Sequence, residues 1–369
     1  MLETNCVPQP FEQDGEAGLM YTATVRVNID TDGVRAWLRR DTQDRTALVN
    51  QNNAAQQAAD ANDQQVEDLR KRAKNATTDE ERAAIQAEYQ QADNEFLANQ
   101  KLKEGLRLYY QGEYNGAIAK YNEAIQLNPN SFGAYNNRGI VYVEKNNHIQ
   151  AIADYTKAIE LKPDFAYAYN NRGASYIKLE NYAEAIADLS KAIDMKPEYA
   201  EAYNNRGLAY IKIGNYTQAI ADLSKAIALN PNFVKAYNNR GFSYGEMGNN
   251  NAAISDYTRV IQINPNDAAA YNNRGVAYYN FRNYKQAIAD YNKAIELNPQ
   301  YAEVYTNRGS AYLALQNYSE AIADLNKAIE LNPKFAGAYY NRGVYYQEIG
   351  ADEQAQADFA KARALGYTD

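Results

Sequence analysis

The chain has one cysteine, Cys6, and one histidine, His148, in 369 residues. A lone cysteine excludes an internal disulfide. It leaves two readings for Cys6, a free thiol in a tail or a link to another molecule. One His and one Cys leave no Ser–His–Asp set, no Cys–His pair and no zinc cluster. His148 also has a plain explanation, because Tyr114, Tyr182, Tyr216, Tyr284 and Tyr318 hold equivalent places elsewhere in the chain. It fills an aromatic slot in a turn. No glycine-rich phosphate loop is present, so no catalytic residue, metal or cofactor is assigned. Positive charge is short too, with 38 Lys and Arg against 46 Asp and Glu and a net charge of -8. Without a basic run, the electrostatic footprint of nucleic-acid binding is missing. No apolar run approaches the ~18 residues of a membrane span, so no membrane insertion is expected. Met1–Pro10 has neither the basic start nor the apolar centre of a secretory signal. The compartment is therefore cytoplasmic by default, or extracellular for a filament subunit.

What the chain does have is repetition. The hexapeptide Ala-Tyr-Asn-Asn-Arg-Gly occupies Ala134–Gly139 and recurs at Ala168, Ala202, Ala236 and Ala270, with altered copies at Val304 and Ala338. The step is 34 residues, and Pro129, Pro163, Pro197, Pro231, Pro265, Pro299 and Pro333 keep the same step. A fixed period of this length means a solenoid or similar array. Within each period two helical patterns alternate. Tyr135, Arg138, Gly139 and Tyr142 share one face of the first, and Ala151, Tyr155 and Ala158 share one face of the second. A glycine inside a helix costs roughly 0.5–1 kcal/mol against alanine, so its return in every period requires close helix–helix contact. Asn146-Asn147 separates the two helices. The residue before each proline ends the second.

These residues resemble the tetratricopeptide repeat family, which has 34 residues and two antiparallel helices per repeat. Tyr135, Gly139, Tyr142, Ala151, Tyr155, Ala158 and Pro163 stand at the family's positions. Arg138 stands where the family usually has Leu. The resemblance implies an all-α, right-handed α-solenoid of eight repeats: 98–131, 132–165, 166–199, 200–233, 234–267, 268–301, 302–335 and 336–369. It also implies a function in protein–protein association rather than catalysis. A regulatory role beside an enzyme would need a catalytic domain on another chain.

The segments before the array read differently. Residues 1–18 read as a tail. Leu19, Tyr21, Ala23, Val25, Val27 and Ile29 alternate with Met20, Thr22, Thr24, Arg26, Asn28 and Asp30, which is the period of a half-buried strand. Asp30–Gly33 reads as a turn, and residues 34–40 as either a return strand or a short helix. A lone strand is marginal in water, so 19–30 is expected to pair with another molecule, such as a second copy. The alternative is a small hairpin laid on a helix. Residues 52–74 and 79–97, with the capping box Thr78–Glu81, read as a polar helical hairpin cap.

Two expectations concern binding. In the family, first helices line a concave surface, and the second Asn of each hexapeptide forms a row there: Asn137, Asn171, Asn205, Asn239, Asn273, Asn307 and Asn341. The row is similar to the asparagine row of O-linked GlcNAc transferase, which holds an extended peptide by its backbone. A carboxamide offers two donors and an acceptor, which suits a peptide unit of any sequence. The other reading is that these amides satisfy neighbouring backbone. Beside the row, Ile140, Ala174, Leu208, Phe242, Val276, Ser310 and Val344 are expected as floor. The second expectation is head-to-tail self-assembly of copies into an oligomer or filament. Its adhesive parts would be Leu19, Tyr21, Val25, Val27 and Ile29 at one end. At the other, Leu365 and Tyr367 would mark an eighth repeat left uncapped.

Two smaller patterns complete the reading. Arg138 and Asp154 lie 16 residues apart, and the pair returns in every later repeat, whereas Glu104 and Lys120 hold these places in the first. An ion pair bridging the two helices of each repeat is expected, with signs reversed in the first. Asn75, Asn215 and Asn317 begin glycosylation sequons, at a frequency chance explains, and would carry glycans only in a secreted form.

Overall fold

The computed structural model describes residues 4–13, 16–25, 68–69, 71–72, 75 and 78–367. The chain divides into two units, residues 1–57 and 58–369.

In the first unit, β1 (Thr4–Gln13) pairs antiparallel with β2 (Glu16–Val25), with Cys6 opposite Ala23 and Leu19 opposite Pro10. This corrects one expectation. The segment read as a tail contains a ten-residue strand. Residues 19–25 of the strand read at 19–30 pair with β1 of the same chain. Pro8 and Pro10 hid β1 in the sequence. They share a parity, so both missing N–H groups fall on one side, and a strand with a free edge tolerates that. Residues 26–50, including Val27 and Ile29, lie outside the described residues.

The second unit is helical. Residues 68, 69, 71, 72 and 75 are in helix, and Leu69 is buried with Ile85 and Ala92. The rest of the expected cap helix, 52–67, lies outside the described residues. Next come α1 Asp79–Tyr110, α2 Tyr114–Leu127, α3 Phe132–Glu144, α4 His148–Leu161, α5 Ala166–Lys178, α6 Tyr182–Met195, α7 Ala200–Lys212 and α8 Tyr216–Leu229. They are followed by α9 Val234–Glu246, α10 Asn250–Ile263, α11 Ala268–Asn280, α12 Tyr284–Leu297, α13 Ala302–Ala314, α14 Tyr318–Leu331, α15 Ala336–Glu348 and α16 Asp352–Ala364. Odd helices are first helices of repeats and even ones are second. The capping box is present: Glu81 N donates to Thr78 Oγ1 at 3.1 Å, and Thr78 N donates to Glu81 Oε2 at 3.4 Å. From that cap α1 runs 32 residues without a break, so the first repeat's first helix is the end of a longer one.

Each repeat closes in the same way. The small residue of the first helix admits the large one of the second. A Cβ on Gly275 would stand 2.5 Å from Tyr291 Cε1, and one on Gly207 2.8 Å from Leu223 Cγ. Tyr121, Tyr155, Leu189, Leu223, Tyr291 and Leu325 are fully buried there, beside alanines such as Ala151 and Ala219. The turn between helices needs one left-handed residue. Gly214 and Gly248 supply it freely, while Asn146, Glu180, Arg282 and Gln316 adopt it at φ near 60°. The following Asn caps the second helix: the Asn215 side chain accepts from Gln218 N, and Asn283 from Gln286 N. Asn128, before Pro129, is extended and ends α2. Among the described residues, no helix is long and apolar enough to cross a membrane.

Candidate binding face

Curvature places the first helices inside. Successive odd helices, such as α5 with α7 and α7 with α9, pack directly against one another, and successive even helices make no comparable contact. The array therefore bends with its odd helices on the inner side.

On those helices the paired asparagines form a ladder of side-chain amides. Asn239 Nδ2 donates to Asn204 Oδ1 at 3.0 Å, and Asn204 Nδ2 to Asn205 Oδ1 at 3.3 Å. Asn205 donates to Asn170 at 3.0 Å, Asn170 to Asn171 at 3.3 Å, Asn171 to Asn136 at 3.2 Å and Asn136 to Asn137 at 3.2 Å. A shorter run follows, Asn307 to Asn272 at 2.9 Å and Asn272 to Asn273 at 3.5 Å, while Asn341 donates to Ser310 Oγ at 2.8 Å. The first Asn of each pair was not singled out in the sequence. Asn136, Asn170, Asn204 and Asn272 are buried and tie one repeat to the next. The doubling Asn-Asn, repeated at a fixed step, was the available signal. Of the second row, Asn137 is buried, and Asn171, Asn205, Asn239, Asn273, Asn307 and Asn341 are half-buried. Each amide has two N–H groups and two lone pairs. The ladder spends one of each on Asn205 and leaves one of each. The neighbouring Ile140, Ala174, Leu208, Val276, Ser310 and Val344 are half-buried, and Phe242 is exposed.

The residue that departs from the family, Arg138 and its counterparts, has a structural task. Arg206 Nε and Nη2 reach Asp222 Oδ2 and Oδ1 at 2.7 and 2.8 Å, while Nη1 donates to Ser190 Oγ of the preceding repeat at 2.9 Å. One guanidinium thus joins α7, α8 and α6. The same fork occurs at Arg138, Arg172, Arg240, Arg274, Arg308 and Arg342. In the first repeat Lys120 Nζ lies 3.3 Å from Glu104 Oε2, the expected reversal of sign. The hydrogen bonds to Asp154 hold the Arg138 guanidinium above its ordinary range, while burial pushes the Asp154 carboxyl up.

In α16, Gln356 and Arg363 replace the isoleucines that α14 has at Ile322 and Ile329. Both are exposed, as are Asp352, Glu353 and Lys361. The second helix of the eighth repeat therefore carries polar residues where the preceding repeat carries isoleucines. Leu365 is half-buried, and the Tyr367 ring stacks on Tyr340 within its own repeat at 4.2 Å and 18°. At the other end Leu19, Tyr21 and Val25 lie in the paired strand β2. Asn215 and Asn317 are exposed N-caps of second helices, and Asn75 is exposed on a helix. His148 is half-buried at the start of α4, where burial lowers its pKa.

Models of the TPR repeat match residues 105–146, 141–179, 175–214 and 309–350, and models of the tetratricopeptide repeat match 200–233, 234–267, 268–301 and 290–323. The chain belongs to the tetratricopeptide repeat family. Its fold is shared with a tetratricopeptide repeat protein from Parabacteroides merdae, at 22% identity and a TM-score of 0.52, over 70% of this chain and 98% of that one. The APC/C hetero-tetramer Cut9–Hcn1 aligns at 19% identity and a TM-score of 0.53, over 76% of this chain and 57% of that one. YrrB, a tetratricopeptide protein described as having an unusual peptide-binding site, aligns at 28% identity and a TM-score of 0.43, over 50% of this chain and 95% of that one. A comparison with curated protein sequences gives no match. Tetratricopeptide arrays are scaffolds for protein–protein interaction, and that general function extends to this chain.

Proposed function

We propose that the array is a non-catalytic adaptor whose inner face holds an extended segment of a partner protein by its main chain. The observation that carries this reading is the amide ladder. It fixes the orientation of Asn171, Asn205 and Asn239 by hydrogen bonds while leaving each a donor and an acceptor on a half-buried side chain. A preorganised carboxamide loses little entropy on binding, which is where affinity is gained. One amide per repeat suits a peptide backbone without selecting its side chains. Head-to-tail assembly is not adopted. Its strand is paired within the chain and its last helix is polar.

The test is selection of ligands from a random 12-residue peptide library on the full chain, followed by affinity measurement with Asn205→Ala and Asn239→Ala. Loss of about tenfold or more per substitution, the worth of a lost hydrogen bond on a desolvated face, supports the reading. Unchanged affinity for every selected peptide contradicts it.

A further inference from the structure

The junction between the fifth and sixth repeats lacks contacts that hold other junctions together. At several of those, the last residue of a repeat is an aromatic buried against the next one. Phe165 shares a buried cluster with Ala158 and Ala168, and Phe233 with Ala226 and Ala236. Asp267 stands at this place in the fifth repeat. It is half-buried, and its carboxylate accepts from Ala270 N at 3.1 Å instead. Ile177 shares a buried cluster with Tyr199 and Ala209 across the third and fourth repeats. Its counterpart here is Gly245, where a Cβ would meet nothing within 4 Å.

The turn tyrosine of one repeat reaches the next. Tyr216 Oη donates to Glu246 Oε2 at 3.3 Å, and its ring lies 6.4 Å from that of Phe242. The Tyr318 ring lies 6.2 Å from that of Tyr345. Asn250 replaces this tyrosine in the fifth repeat, and its Oδ1 is closed to solvent without a hydrogen-bond partner. The amide ladder breaks at the same junction. Asn205, Asn239 and Asn307 each donate to an Asn one repeat back. Asn238 Oδ1, the corresponding acceptor for Asn273, is buried and unpaired. A buried acceptor without a donor disfavours the arrangement that buries it. One tie survives: Arg274 Nη1 donates to Thr258 Oγ1 at 3.1 Å while its fork grips Asp290.

In a repeat array each repeat contacts only its neighbours, so one weak interface divides the array into two blocks. The ladder break lies on the inner side. The surviving tie runs from α11 to α10, a second helix, on the outer side. Bending about Arg274 therefore widens the inner face. We propose that this junction is a hinge, at which repeats 98–267 and 268–369 swing apart to admit an extended polypeptide and close on it. Hinges of this kind need only a few residues that yield between two packed bodies. The purpose of the hinge rests on the inner-face reading above, whereas its bending is measurable without a ligand.

The test measures distances between spin labels by pulsed electron paramagnetic resonance, on the full chain with Cys6→Ser. Labels at Ala221→Cys and Ala289→Cys span the junction. Labels at Ala153→Cys and Ala221→Cys span the same number of repeats without it, and all three positions are exposed. Without peptide, the first pair should give a distance distribution about 1.5-fold broader than the second or more, the spread of two bodies about a hinge. Asn250→Tyr with Asp267→Tyr restores the residues of other junctions and should bring the two widths together. A peptide selected from the random 12-residue library should narrow the first distribution as well. Equal widths in the unaltered junction overturn the hinge, whether or not the restored variant folds. A width that stays broad in a folded restored variant also overturns it, because the missing contacts are then not its cause. A broad distribution that no selected peptide narrows overturns the role in admitting a segment. Asn205→Ala then separates the two readings: weakened peptide affinity leaves the inner-face reading standing, and unchanged affinity removes it too.

Discussion

Arg206 grips Asp222 through two parallel hydrogen bonds, at 2.7 Å from Nε and 2.8 Å from Nη2, and 19% of its side chain and 10% of that of Asp222 remain exposed. The family's usual leucine at this position would pack without charge. Here a fork of fixed geometry takes its place and reaches a third helix through Ser190. Such a pair adds little net stability over an apolar substitute, but breaking it leaves a desolvated charge behind.

A double-mutant cycle follows directly. Arg206→Leu should destabilise the chain by roughly 3 kcal/mol, because Asp222 stays buried without its partner. Asp222→Leu should cost less, since the guanidinium keeps access to water. The double variant should return to within about 1 kcal/mol of the parent, a coupling that additive sites would not show. Urea denaturation of the four proteins measures it. Additive losses would mean the pair is not a unit.

The glycines of the first helices give a graded prediction. A Cβ on Gly275 would meet Tyr291 at 2.5 Å, whereas one on Gly241 would meet Tyr257 at 3.0 Å. Tyr291 is fully buried and has nowhere to go. Gly275→Ala should cost about 1–3 kcal/mol by overpacking. Gly241→Ala should cost less, because alanine favours the helix and the neighbour needs to yield only a little. Thermal unfolding of both variants checks the order.

Asn205 and Asn273 differ within one row. Asn205 both donates to Asn170 at 3.0 Å and accepts from Asn204 at 3.3 Å, while Asn273 only accepts from Asn272 at 3.5 Å. Asn205→Ala strands two buried amides and should cost about 1–3 kcal/mol. Asn273→Ala should cost under about 1 kcal/mol, the range of a single weak hydrogen bond. Equal losses would argue against the ladder.

The polar face of α16 yields a gain-of-association test. Gln356→Ile with Arg363→Ile rebuilds the surface that internal repeats bury against the next repeat. The double variant should rise in mass with concentration by light scattering, and the parent should not. An exposed apolar face of that kind is an interaction liability.

Much of this fold was legible in the sequence, because a solenoid repeats its rules. The 34-residue step located the helices, and the recurrent glycine announced close packing. The exchange of Arg and Asp for Glu and Lys in the first repeat revealed the ion pair before any distance was known. Three things were less visible. The prolines of β1 made a strand resemble a tail. The polar face of α16 lay in two changed residues, Gln356 and Arg363, and was masked by the intact Gly343 and the Arg342–Asp358 pair. The ladder depended on burial: only packing shows that the first asparagine of each pair is the inner one.

The most direct measurement of the central claim is site-specific photo-cross-linking. A benzophenone side chain is placed on the inner row at Leu208, or on an outer helix at the exposed Lys225, and a library-selected peptide is added before irradiation. The account predicts a covalent adduct from position 208 and none from 225, with the adduct lost when Asn205 and Asn239 are changed to alanine. An adduct from 225, or one from 208 that survives the loss of both asparagines, would contradict it.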